Sequence, residues 1–169
     1  AAGIVFPSWE EGCEAARQIA QAKLWPANLR LLDQELASFS IGMNGRDTVL
    51  IVGFESSDMP QVEHINQAVK IARDSGGRIN NEDIAITDVA DGKTKTGGIV
   101  NAWRNAFINV GGGLTAGLGL VTGTFETAVT WDRWPEFDAI VREETIKAIR
   151  DVCGGGTLNC RFTHVYPDG

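Results

Sequence analysis

The residues best equipped for chemistry stand near the end of the chain. In Leu158-Asn159-Cys160-Arg161-Phe162-Thr163-His164-Val165-Tyr166, strand alternation puts Leu158, Cys160, Phe162, His164 and Tyr166 on one face. Arg161, Thr163 and Val165 point the other way. A phenol two residues from an imidazole is able to pass a proton. The same two groups can equally do no more than hydrogen-bond at the end of a sheet. Just upstream, residues 124–131 alternate Phe125, Thr127, Val129 and Trp131 against Thr124, Glu126, Ala128 and Thr130. The second set is polar for a strand beside packed helices. Such a face lines water, a cavity or another domain, or is simply solvated.

Other constellations fail their spacing tests. The run Gly111-Gly112-Gly113-Leu114-Thr115-Ala116-Gly117-Leu118-Gly119 has no Lys-Ser/Thr after its last glycine, as a P-loop needs. Gly117, Gly119 and Gly123 are spaced one residue too long for a dinucleotide fingerprint. The run therefore reads as a flexible or close-packed connection. Neither His64 nor His164 has a Cys or carboxylate at ligand spacing, so no metal is expected. Each cysteine is read as a small buried hydrophobe.

The elements that must position these residues are legible in the apolar periodicity. Strand Gly3-Ile4-Val5-Phe6 leads to Ser8-Trp9-Glu10-Glu11, which fits a reciprocal capping box. Trp9, Cys13, Ala16 and Ala20 then mark the buried stripe of a helix. A strand over 28–32, a short helix within 33–46 and a β-branched strand over 48–55 follow. Ser57-Asp58 is expected to cap a helix that buries Val62, Ile65, Val69 and Ala72 and ends at Gly76-Gly77, before a brief strand near Arg78-Ile79. Residues 81–98 read as irregular, with Thr94-Lys95-Thr96-Gly97-Gly98 a mobile loop. A last unit comprises a strand over 124–131, a helix over about 135–152 packed through Phe137, Val141, Ala148 and Val152, and a strand over 158–166. The class is α+β: ferredoxin-like βαβ units forming an antiparallel sheet with helices packed on one face.

Composition bounds the function. The 169 residues carry 22 Asp and Glu against 15 Lys and Arg, a net charge of −7, which disfavours nucleic acid. No apolar run reaches the roughly 20 residues of a membrane helix. Three cysteines cannot build a disulfide framework, so a reducing, cytoplasmic setting is expected. The chain opens Ala1-Ala2-Gly3 without Met and stops at Tyr166-Pro167-Asp168-Gly169, a turn signal. It is read as an excised or incomplete piece.

The two late segments carry a family resemblance. Thr124-Phe125-Glu126-Thr127-Ala128 through Trp131-Asp132-Arg133, with Cys160-Arg161-Phe162-Thr163-His164-Val165-Tyr166-Pro167-Asp168-Gly169, resembles the C-terminal (cap) domain of FAD-linked oxidases. The branch most similar is the alkyldihydroxyacetonephosphate synthase-like flavoproteins of the vanillyl-alcohol-oxidase superfamily. Phe6-Pro7-Ser8-Trp9-Glu10-Glu11-Gly12, Leu29-Arg30-Leu31-Leu32-Asp33, residues 49–55 as the middle strand, and Ala102-Trp103-Arg104-Asn105-Ala106-Phe107 before an active-site helix extend it along the chain.

The resemblance implies that residues 1–169 form the substrate-binding cap domain of a flavin-dependent oxidoreductase or synthase-like enzyme, inactive without its FAD-binding domain. FAD would be held mainly by that domain, its partner in the same enzyme. The implied substrate is a 2-hydroxy acid or a glycerone-phosphate-type molecule. Tyr166 matches the family's active-site tyrosine, a proton donor or acceptor, and His164 is its candidate neighbour. Arg161 and Thr163 are the candidates for cofactor contact. Relatives usually carry a Tyr-x-Arg-Asp-like stretch where this sequence reads Val110-Gly111-Gly112-Gly113-Leu114. The alternative is a stand-alone, non-catalytic ferredoxin-like module that self-associates through exposed sheet edges.

Overall fold

The computed structural model describes residues 1–88, 93–95, 98–108, 117 and 119–169. Its centre is a four-stranded sheet of β1 (Ala2–Phe6), β2 (Asn28–Leu32), β3 (Thr48–Gly53) and, after a small hairpin, a late short strand, Arg161–Phe162. The hairpin is β4 (Ile86–Asp88) paired antiparallel with β5 (Lys93–Lys95), which makes the late strand β6. The main sheet runs β1-β3-β2-β6 and every neighbouring pair is antiparallel. β1 and β2 therefore run parallel to each other with β3 between them, a split βαβ unit closed by α1 (Trp9–Gln21).

The fold is α+β, but the helices cover both faces of the sheet rather than one. Ala2, Ile4 and Phe6 of β1, Leu29 and Leu31 of β2, Leu50 and Val52 of β3 and Phe162 of β6 share one core with α1 and α3 (Val62–Asp74). On the other face, Leu32, Val49 and Ile51 pack with α2 (Gln34–Ile41) and α4 (Gly98–Ile108) through Leu36, Ala37 and Trp103. The physical reason is β3, in which all six residues are buried. A strand that is apolar on both sides must be covered on both sides. Two glycines mark the close approaches. A Cβ at Gly12 would stand 2.8 Å from Leu31 and Thr48 side-chain carbons, under α1. A Cβ at Gly3 would stand 2.9 Å from Ile99, under α4.

Local signals explain the element ends, including where expectation and structure part. Ser8 Oγ accepts the Glu11 N–H at 3.2 Å and caps α1, although the reciprocal bond from Glu11 is not made and its Oε2 is buried without a partner. Asp33 caps α2 by accepting the Leu36 N–H. Ser57-Asp58 does not cap α3, because Ser56 Oγ takes the Asp58 and Met59 N–H groups in a turn of its own and Pro60 holds Met59 out of the helical region. α3 starts at Val62, which is exposed, and Ala68 joins its buried stripe. The strand expected near Arg78 is a single bridge to Val5, and with an Ala2–Ile84 bridge it covers the outer edge of β1. Thr94 and Lys95 lie in β5 and Gly98 opens α4, so the expected loop is ordered on both sides of residues 96–97, which lie outside the described residues.

The late unit departs most. Residues 124–130 are exposed or half-buried, chiefly exposed, and form no strand, since no ladder partner lies beside them among the described residues. α5 (Trp134–Cys153) forms as expected, with Pro135 in its first turn and Gly154 left-handed at its end. Its inward face is different: Ala148 and Val152 are exposed, while Trp134, Asp138, Val141 and Arg142 turn inward. The expected strand over 158–166 shrinks to β6. After Phe162 the alternation breaks, and Val165 packs against the core in place of His164.

Candidate functional site

The second sheet face is not wholly covered. α2 and α4 close over Leu32, Val49 and Ile51, but the end of the face that carries Asn28, Arg30 and Gly53 stays open. There a pocket of about 370 Å³ is lined by Asn28, Arg30, Ile51 and Gly53 from the sheet, Glu55 beyond β3, and Trp103 and Arg104 from α4, among others. Strand alternation places Arg30 on this face, opposite Ile51 in the ladder. Trp103 is 7% exposed and forms a rigid wall. Two guanidiniums and an amide against one carboxylate favour an anionic or electron-rich guest.

The four residues singled out in the sequence are placed unequally. β6 pairs Leu32 with Arg161 and Leu31 with Phe162, so Thr163 follows opposite Arg30. Arg161 and Thr163 thus belong to the face that holds the pocket, at the sheet's edge, though neither lines it. Tyr166 is 56% exposed. Its N–H donates to the Gly169 carbonyl at 2.9 Å, and its carbonyl accepts from Trp131 Nε1 at 2.9 Å. The phenol borders a separate shallow pocket of about 350 Å³ with Ala128, Val129, Thr130, Asp168 and Gly169. The two pockets share no residue. His164 is exposed and makes no hydrogen bond among the described residues, so the break in alternation removes the shared face on which its pairing with Tyr166 was expected.

Arg30, Trp103 and Arg104 were quoted in the sequence only as parts of longer motifs and not as site residues. The missed signal was Arg30 itself: a charged residue between the buried Leu29 and Leu31, whose opposite face must therefore be open somewhere. Ala102-Trp103-Arg104 does not precede a helix but lies within α4. Residues 109–116 and 118 lie outside the described residues, and with them most of the glycine run and the place of the Tyr-x-Arg-Asp-like stretch.

Among the described residues no group of His, Cys, Asp and Glu could hold a metal ion, and no helix is long and apolar enough to cross a membrane. The cysteines differ in setting. Burial raises the Cys13 thiol far above its usual range and pushes Cys160 up to about 11, whereas Cys153 is exposed, against expectation. A thiol reagent at neutral pH should therefore label one cysteine per native chain, Cys153, and reach the others only on denaturation. Prompt labelling of two or more, read by intact mass, would contradict that accounting.

A family model described as "FAD linked oxidases, C-terminal domain" matches residues 1–169. The chain belongs to this family. No curated protein matches it in sequence. Two solved structures, each of an alkyldihydroxyacetonephosphate synthase, are similar in fold. One has a TM-score of 0.69 at 13% identity, covering 99% of this chain and 34% of that one. The other has a TM-score of 0.71 at 14% identity, covering 99% and 33%. At that identity the likeness concerns the fold, and the FAD-linked oxidase domain described here spans about a third of either chain.

The family implies a flavin, and the residues present fit one end of such a group. The arginine pocket suits an electron-rich ring edge or an anionic substrate beside it. A diphosphate is usually cradled by free N–H groups at a helix start. In α1, α2 and α4 those positions are taken by Ser8, Asp33 and Asp83, the last accepting the Ile99 N–H at 2.9 Å.

Proposed function

We propose that this FAD-linked oxidase C-terminal domain is the substrate-facing cap of a flavin-dependent oxidoreductase or alkyldihydroxyacetonephosphate synthase-like enzyme. The observation that carries the reading is the family match over all 169 residues. FAD, when bound, supplies the electron-accepting or covalent chemistry, and its diphosphate belongs to a separate FAD-binding domain. The chain's own residues do the rest. Arg30 and Arg104 hold the anionic group of a 2-hydroxy acid or a glycerone-phosphate-type substrate, with Trp103 excluding water on one side. Tyr166, exposed toward the partner domain, takes or returns a proton at a substrate oxygen, with His164 as the basic neighbour on the same segment. Arg161 and Thr163, on the pocket's side of the sheet edge, contact the cofactor. The setting is taken to be cytoplasmic.

Neutralising the pocket tests this. A hydrogen bond to a charged group is worth about 1.5–3 kcal/mol, or about 10- to 100-fold in affinity. In the intact enzyme, Arg30→Gln and Arg104→Gln should each raise KM for an anionic substrate by about tenfold or more, with flavin content unchanged. Unchanged KM in both variants would remove the pocket from substrate binding. The 169-residue chain alone should bind no stoichiometric flavin, and a yellow complex purified from it would overturn the division of labour.

A further inference from the structure

Asp33 does more than cap a helix. It ends β2, opens α2 and is 2% exposed. An N-cap needs one oxygen, and Oδ1 serves, accepting the Leu36 N–H at 3.0 Å. Oδ2 is used elsewhere: it accepts the Cys160 N–H at 2.6 Å and Arg142 Nη1 at 3.1 Å. The Asp33 N–H in turn donates to the Cys160 carbonyl at 3.0 Å, so Asp33 and Cys160 are tied twice. Arg142 Nε donates to Asp138 Oδ1 at 2.9 Å, and Asp138 Oδ2 accepts from Trp9 Nε1 at 3.0 Å. The guanidinium lies over the Trp9 ring, 5.1 Å from its centroid. One network thus joins the start of α1, the β2–α2 junction, α5 and the residue that enters β6.

That expense needs a reason. A buried carboxylate is costly unless fully paired, and a serine cap would hold α2 about as well. The reason lies in β6. Only Arg161 and Phe162 are in its ladder, too few to fix a register alone. A slip of one residue would turn Phe162 to the opposite face and carry Thr163 and everything after it out of place.

We propose that Asp33, held by Arg142, is a positioning residue that pins the register of β6 and thereby places Tyr166. The link to catalysis rests on the reading of Tyr166 given above, while the pin itself does not. In the intact enzyme, Asp33→Asn keeps the size of the side chain and removes one of its two acceptors. Amides of residues 160–162 should then exchange hydrogen about tenfold faster or more while β3 stays protected. A displaced reacting group can cost about 100-fold, so kcat should fall by about tenfold or more, with KM for the substrate held by Arg30 nearly constant. Asp33→Asn added to Tyr166→Phe should cost nothing further. Arg142→Gln, at a half-buried site less critical for folding, should show the same pattern more weakly.

Unchanged exchange at 160–162 in both variants would refute the pin, whatever Tyr166 does. Faster exchange with full turnover, or with losses that add to those of Tyr166→Phe, would refute its link to Tyr166. If Tyr166→Phe alone leaves turnover intact, the reading of Tyr166 falls, and the exchange data still decide whether Asp33 fixes the strand.

Discussion

Tyr166→Phe should lower kcat of the intact enzyme by about 100-fold or more, the usual worth of a positioned acid or base, and leave flavin content and stability unchanged. The structure makes this substitution unusually clean. The backbone of Tyr166 is held from both sides, by Gly169 and by the Trp131 indole, and neither bond involves the phenol. The ring is more than half exposed, so no core contact is lost with the hydroxyl. What Phe removes is therefore only the proton-carrying oxygen. His164→Gln provides the comparison. His164 makes no hydrogen bond among the described residues, and a loss of less than about tenfold is expected unless the partner domain engages it. Steady-state kinetics, the flavin-to-protein ratio and a melting curve on each variant check the argument. Full turnover in Tyr166→Phe would remove the phenol from the mechanism.

The first half of the fold was legible because its signals are local. Ser8 before an apolar stripe, Asp33 before Leu36, and Gly76-Gly77 after α3 each dictate a helix end through bonds to near neighbours. Coverage of the second sheet face was also written in the sequence, in the unbroken run Val49-Leu50-Ile51-Val52, which lacks the alternation of a half-solvated strand. It went unread because α4 lies in a segment whose order shows only through tertiary contacts. The late segments failed for the opposite reason. Residues 124–130 and 163–166 have strand-like composition, but a strand is a pairing, and the pairing partner cannot be inferred from one segment. The inward face of α5 was misjudged because its anchors are Asp138 and Arg142, which apolar periodicity discards. The pocket was hidden for a related reason: Arg30, Trp103 and Arg104 are scattered in sequence and meet only when α4 crosses β2 and β3.

The largest effect on stability should come from Phe162→Ala, at about 3–5 kcal/mol, the usual cost of emptying a buried aromatic site. Phe162 is the apolar anchor of β6 and faces the principal core opposite Leu31. Its ring meets Trp134 at 4.7 Å, Trp9 at 5.3 Å and Trp131 at 5.9 Å between centroids, each edge-on. Such contacts add to the burial itself. Three indoles cannot collapse into the space Phe leaves: Trp9 is bonded to Asp138, and Trp131 to the Tyr166 carbonyl. The cavity term should therefore be paid nearly in full. For a chain of this length the loss corresponds to a melting temperature lower by on the order of 10 °C. Thermal unfolding followed by tryptophan fluorescence reports directly on the affected cluster. Phe162→Leu, which keeps most of the volume, should cost less than half as much. Equal losses in the two variants would mean that the aromatic edges, not the filled space, hold the strand. A loss below about 1 kcal/mol in Phe162→Ala would mean that β6 is fastened by Asp33 alone.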